Sequence, residues 1–221
     1  QSITELAQNE AVLVIGSSLR KEQPLLAQRL RQSVKKGMAL SIINPHRDDL
    51  LTQLASEMVV RPDQMVEGLL AVLKAALETS GKTAPAHIDL TGIAVTDSAS
   101  TIAASLHGKA KTAILLGNLS VHNPRHAEIH AAASALAEIT GAKLGVMSEA
   151  ANSVGAQLIG AEIGGNVFAT PKQAYFLLHA EPQFDAANGA QALAALNAAD
   201  FVVALNPFVD GVEDYADVIL P

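Results

Sequence analysis

The sequence predicts an α/β fold of Rossmann-like lobes with mainly parallel sheets, and three observations carry that expectation. Short apolar runs alternate with helix-like stretches, Pro and Gly punctuate the ends of those stretches, and the apolar content is aliphatic, 49% hydrophobic with only 3% aromatic. The strand-like runs are residues 12–16, 39–44, 112–117, 143–147, 174–179 and 201–206, with a last one at 217–220. Between the first two, Pro24 marks a helix start and Gly37 lies just past its end. Asp63 and Asp97 are expected to cap two more helices, the first carrying Met65, Leu69, Val72 and Leu73 on one face. Residues 78–85, with Gly81 and Pro85, read as a surface loop. Asn123-Pro124 then opens a helix that closes at Thr140-Gly141. An irregular stretch at 160–171 holds Gly160, Gly164, Gly165 and Pro171 and sets the expected boundary between a first lobe, 1–168, and a partial second lobe, 169–221. A faint echo of strand, small residue, polar turn, Pro and helix recurs after Ile15, after Leu116 and at His179.

Composition excludes several classes of function. With 221 residues the chain can bury a core unaided, and its apolar content is too high for disorder. A net charge of −7 gives no general attraction for nucleic acid or anionic lipid, and the longest apolar runs are too short to span a bilayer, so neither nucleic-acid binding nor direct membrane insertion is expected. Zero cysteines removes disulfides, thiolate metal sites, cysteine nucleophiles and cysteine-held iron–sulfur clusters from these residues. Because the sequence starts at Gln1 and stops at Pro221, immediately after a strand-like run, it reads as a piece of a longer protein.

In open α/β sheets ligands gather beyond the carboxyl ends of the strands. That rule selects Gly16-Ser17-Ser18, Asn44-Pro45-His46, Gly117-Asn118, Ser148-Glu149 and Glu181-Pro182, expected along one edge. Within them Gly16, Ser17, Ser18, Asn44, Gly117, Asn118 and Glu181 are the candidates for a vestigial pocket. No Gly-x-Gly-x-x-Gly or Gly-Lys-Ser/Thr phosphate motif follows a strand, and no Gly-x-Ser-x-Gly nucleophile elbow occurs. His126 and His130, four apart on one helix face, are weak metal candidates; His122 precedes the helix and Glu128 lies on another face, so a third ligand is not evident. The acidic residues Asp185, Asp200, Asp210, Glu213, Asp214 and Asp217 crowd the end of the chain and read as a solvated rim, with Asp217 able to orient a strand end. No catalytic residue is expected from these patterns.

The same turns carry a resemblance. VLVIGSSLRKEQP (12–24), GMALSIINPH (37–46), Leu115 to Gly117, Thr140-Gly141, Ala174 to Pro182, Asp200 to Asn206 and YADVILP (215–221) follow the order of strand and turn segments in the molybdopterin oxidoreductase superfamily, which the chain resembles over nearly all its length. Ser18-Leu19 stands where cofactor-binding members usually have Asn-Pro, Asn44 stands for an acid, His46 for an Arg, and His179-Ala180-Glu181-Pro182 for Gly-Glu-Asn-Pro. Arg61-Pro62-Asp63-Gln64 lacks the family's Gly-Thr-Asp. Residues 140–145 and 149–155 look more like the large iron–sulfur subunit of bacterial respiratory complex I. That resemblance implies a cofactor-free scaffold within an NADH:quinone oxidoreductase, on the cytoplasmic side of the bacterial inner membrane in the peripheral arm. Its partners would be the other subunits of complex I, and its iron–sulfur clusters would lie elsewhere in the parent subunit. The alternatives are the pterin-binding half of a molybdenum or tungsten enzyme such as a formate dehydrogenase, and a free-standing interaction module.

Overall fold

The computed structural model describes residues 2–148, 150, 152–160 and 166–221. Glu149, Ala151, Gly164 and Gly165, which belong to the edge turns, the subunit-like stretch and the boundary stretch, lie outside the described residues. The chain divides into two compact units, 1–153 and 154–221, a division that falls before the expected 168/169.

The first unit opens with helix α1 (Ile3–Leu6), capped by Ser2, whose Oγ accepts from the Glu5 N–H while the Glu5 carboxylate accepts from the Ser2 N–H. Strand β1 (Ala11–Ile15), helices α2 (Leu19–Glu22) and α3 (Pro24–Val34), and strands β2 (Ala39–Asn44) and β3 (Ser56–Val59) follow. Next come α4 (Met65–Ser80), α5 (Asp97–Leu106), β4 (Thr112–Leu116), α6 (Asn118–Val121), α7 (His126–Thr140) and β5 (Lys143–Val146). The five strands are all parallel, in the order β3-β2-β1-β4-β5. The chain steps from β1 to one side, then returns to place β4 on the other, so the strand order reverses between β1 and β4.

Central strands β1 and β4 read as continuous apolar runs because both faces are buried. Leu13, Ile15, Ile114 and Leu116 pack beneath α4, α5 and α7, while Val12, Val14 and Leu115 join Leu26 and Leu30 of α3 on the other face. Alanines at 71, 75 and 76 in α4 and at 132, 133 and 135 in α7 keep both helices thin where they pack together. These alanines account for the low aromatic content, since closely spaced helices leave little room for rings.

Three local expectations are corrected. Asp63 is no cap: it sits inside a 3-10 turn (Pro62–Gln64) that runs directly into α4, whose cap position is Gln64. Asp97 is the first residue of α5, and Thr96 caps it, its Oγ1 accepting from the Ala99 N–H. Helix α7 starts at His126, two residues beyond Pro124.

The second unit contains α8 (Ser153–Leu158), whose first residue closes unit one, then β6 (Ala174–Leu178), α9 (Pro182–Asp185), α10 (Gly189–Asn197), β7 (Phe201–Leu205) and β8 (Val218–Leu220). Its three strands are parallel in the order β6-β7-β8. Leu177, Val202 and Ala204 pack against Leu196, Val212 and Tyr215 to form a small core on one face. Asp217 fixes the start of the sheet, its Oδ2 accepting from the Val202 N–H at 2.7 Å. Tyr215 is pushed above the ordinary phenol value by burial and by the charges of Glu181 and Asp185.

His179, the residue after β6, has φ at +48°, a conformation that crowds any Cβ. Gly16, the residue after β1, has the same left-handed turn at φ +67° without that crowding. His179→Gly is therefore expected to stabilise the chain by about 0.5–1 kcal/mol, net of the extra freedom glycine gains when unfolded. A urea midpoint that falls would show that the His179 side chain makes a compensating contact.

Candidate functional site at the sheet edges

The expectation of one edge holding all five turns is corrected, because they belong to two sheets. Gly16 to Ser18, Asn44 to His46, Gly117-Asn118 and Ser148 follow strands of the first unit, whereas Glu181-Pro182 follows β6 in the second. There the Glu181 N–H donates to Asp185 Oδ2 at 2.7 Å, an exposed bond that closes the short α9 turn.

In the first unit, the point where strand order reverses is the natural crevice of such a sheet. Here the chain itself fills it. The Gly117 N–H donates to the Ile15 carbonyl at 2.8 Å, and the Leu119 N–H donates to the Gly16 carbonyl at 2.9 Å, so the turns after β1 and β4 are bonded face to face. The Gly16 N–H donates to Ile43 O and the Ser120 N–H to Gly117 O. Both glycines serve close approach: a Cβ on Gly117 would lie 2.4 Å from Ser17 Cβ, and one on Gly16 would lie 2.5 Å from the Ser120 backbone nitrogen.

The turn after β2 is clasped to the same place. Asn44 Oδ1 accepts from the Ser17 N–H and Asn44 Nδ2 donates to the Ser17 carbonyl, both at 2.9 Å, with Ser17 and Asn44 each 1% exposed. One amide side chain thus replaces the two backbone bonds a continuing strand would make. Ser17 Oγ donates to Glu22 Oε2 at 2.7 Å, and Ser18 Oγ lies 3.1 Å from His46 Nε2 at the exposed lip. Asn118 begins the four-residue α6 and is partly exposed. Sequence reasoning selected these turns but missed Glu22, Leu119 and Ser120 as their partners. Glu22, five residues beyond Ser17, carried the one legible signal, an acid in the first turn after the strand.

The two weak metal candidates are placed close together but differently engaged. His126 Nδ1 donates to the Ser120 carbonyl at 3.0 Å, and the His126 and His130 rings meet edge to face at 6.0 Å between centroids. His130 Nδ1 lies 3.5 Å from Ser134 Oγ. Among the described residues no group of three His, Asp or Glu converges as a metal site would need.

Beside this edge, Arg125 clips α7 to α4: it donates to Glu67 Oε1 and to both Glu128 oxygens, all within 2.8 Å, and reaches the Asp63 carbonyl at 3.2 Å. The guanidinium is held more firmly protonated and the Glu128 carboxyl is held below the ordinary carboxylate value, each chiefly by their mutual hydrogen bonds. A depressed folded value means that the Glu128 contribution is complete above the unfolded carboxylate value of 4.5 and disappears as acid takes pH down through the folded value. The expected result is a stability difference between wild type and Glu128→Gln that is constant near neutrality and closes on acidification, read from urea midpoints across pH. A difference that widens in acid would refute the assignment.

A family model for molybdopterin oxidoreductase matches residues 1–221, the entire chain. No curated protein matches it significantly. With the parallel sheets and the match over the full length in agreement, the chain belongs to the molybdopterin oxidoreductase family, a family of oxidoreductases.

Proposed function

We propose that the chain is the α/β body of the large iron–sulfur subunit of a bacterial respiratory complex I and serves as a cofactor-free scaffold within that NADH:quinone oxidoreductase. The observation that carries the reading is the filled crevice between β1 and β4. A pterin dinucleotide has phosphates that need free backbone N–H groups and close approach at a glycine turn. In this chain the N–H groups of Gly16, Ser17, Gly117, Leu119 and Ser120 are already bonded within the turns, and Gly117 is spent on contact with Ser17. With these five donors engaged, the edge is better suited to holding its own turns together than to holding a dinucleotide.

The absence of cysteine supports the same reading, with the clusters of the parent held by residues outside this sequence. Placement in the peripheral arm on the cytoplasmic side of the inner membrane belongs to the proposal. It is compatible with the described residues, which contain no helix long and apolar enough to cross a membrane. The other subunits of the complex are the proposed partners.

The family match suits an active molybdenum or tungsten enzyme equally, so the test must separate the two. The parent protein is purified in its native assembly, its molybdenum, tungsten and pterin content is measured, and NADH-driven quinone reduction and formate oxidation are assayed. The scaffold reading expects quinone reduction, sub-stoichiometric molybdenum and tungsten, and loss of assembled complex when the region 1–221 is deleted. Stoichiometric metal with pterin, or formate turnover dependent on this region, overturns it.

A further inference from the structure

We infer that the groove between α3 and the turn after β2 is a binding site for a small organic oxyanion, a molecule with a carboxylate or phosphate head and an apolar body. This goes beyond the proposed function and does not depend on it. Every residue concerned lies in the first unit, and none takes part in the bonds between the turns after β1 and β4.

Helix α3 supplies one wall. Pro24, Ala27, Gln28 and Arg31 recur at i, i+3, i+4 and i+7, the spacing of a single helix face, and together with Leu50, Leu51 and Arg20 they line a hollow of about 280 Å³. That face runs about 10 Å along the helix, at 1.5 Å per residue. The turn after β2 is held in place by its own bonds. Arg20 Nη1 donates to the Asp49 carbonyl, and Asp49 Oδ1 accepts from the Leu51 N–H at 2.9 Å, with Leu51 at φ +52° and 50% exposed.

The two guanidinium groups of the groove are not alike. Arg20 has its carbonyl partner and stands 4.0 Å from Asp49 Oδ2. Arg31 has neither: among the described residues its guanidinium donates no hydrogen bond and forms no ion pair, and its Nε is closed off from water. No carboxylate lines the hollow. A partly buried guanidinium without an acceptor is costly, because its donors give up water and receive nothing in return. An oxyanion removes that cost, since the planar fork takes a carboxylate or phosphate through two parallel N–H···O bonds. Arg31 also stands in the last turn of α3, where a positive charge suits the carbonyl end of the helix. That accounts for the charge, which Lys would supply as well, but not for a sealed and unpartnered Nε.

The kind of occupant follows from the same residues. Asp49 already balances Arg20, so the anionic head belongs at Arg31, and the groove from there toward Pro24 presents the carbon of Ala27, Leu50 and Leu51. An inorganic ion would leave that length empty.

The test titrates the intact, isotopically labelled 221-residue chain with octanoate, octyl phosphate, octylamine and inorganic phosphate, following the Arg31 Nε–H and Leu51 amide signals by NMR. Both acids are expected to shift the two signals saturably with a Kd of about 1 mM or tighter, the scale for ligands of about ten non-hydrogen atoms, and the tighter of the two identifies the head group. Octylamine and inorganic phosphate are expected to bind at least about tenfold more weakly. Arg31→Gln should weaken octanoate at least about tenfold, and Arg31→Lys, which keeps the charge but loses the fork, at least about threefold. Leu51→Asn, with a residue that tolerates positive φ, should weaken it about threefold through the lost apolar wall and guards against a folding defect in the Arg31 variants. Arg29→Gln, exposed and on another face of α3, should leave binding unchanged. No saturable shift by about 20 mM, octylamine or inorganic phosphate binding as tightly as octanoate, Arg31→Lys binding like wild type, or Arg29→Gln weakening it as much as Arg31→Gln overturns the inference.

Discussion

Gly117→Ala is expected to destabilise the first unit by about 3 kcal/mol or more, the upper range for overpacking in a well-packed site. Backbone conformation is not the cause, since the φ of −102° suits any residue. The added Cβ would lie 2.4 Å from Ser17 Cβ and 2.5 Å from the Gly16 carbonyl oxygen, both rigidly held. Neither neighbour can give way cheaply, because Gly16 O accepts from Leu119 N–H and Ser17 is fixed on both sides by Asn44. Gly145→Ala on β5 is the control: its Cβ would meet only Leu115 Cδ2 at 3.4 Å, so a change under about 1 kcal/mol is expected. Urea denaturation of both variants reads the contrast. If Gly117→Ala costs no more than Gly145→Ala, the turns after β1 and β4 part easily, and the crevice is available to a ligand after all.

The same close packing explains how far the sequence could be read. The fold class was legible because the central strands are buried on both faces and so appear as unbroken apolar runs, Ala11 to Ile15 and Thr112 to Leu116. Strand β3 was not, because Ser56 and Glu57 on an edge strand are only half covered and Met58 alone is buried. Edge turns could be located by rule, but the rule says where a ligand would sit rather than whether the chain has filled the place. That depends on contacts between residues far apart in sequence: Ser17 with Asn44, and Gly16 with Leu119. A glycine that admits a phosphate and a glycine that admits a neighbouring turn look alike in sequence. The exposed face of the second unit's sheet, where Phe176 and Leu178 lie bare, was hidden for a related reason. Ala174 to Leu178 and Phe201 to Leu205 are apolar at nearly every position, which reads as burial on both sides, while the unit supplies cover for one.

Asn44→Asp restores the residue type that the resemblance places there, yet it is expected to cost about 2–4 kcal/mol at neutral pH. One Asp oxygen can still accept from the Ser17 N–H. The other would replace the Nδ2 that now donates to the Ser17 carbonyl, setting a carboxylate against a carbonyl oxygen at a site 1% exposed. Only the protonated acid can donate to that carbonyl, so the folded state raises the value of the introduced carboxyl above the ordinary ~3.9. The sign follows directly. Below the unfolded value both states are protonated and the variant approaches wild-type stability. As pH rises, the unfolded chain releases its proton first, and the penalty grows by about 1.4 kcal/mol per pH unit until the folded group ionises as well. Urea midpoints of wild type and variant at pH values from about 3.5 to 7.5 should therefore diverge with rising pH, with Asn44→Ala showing a loss that does not depend on pH. A variant as stable as wild type at neutral pH would mean that the Ser17 turn can swing away to accommodate a charge. In that case the edge would be open to the phosphates of a dinucleotide, and the molybdenum or tungsten enzyme would become the better reading of this chain.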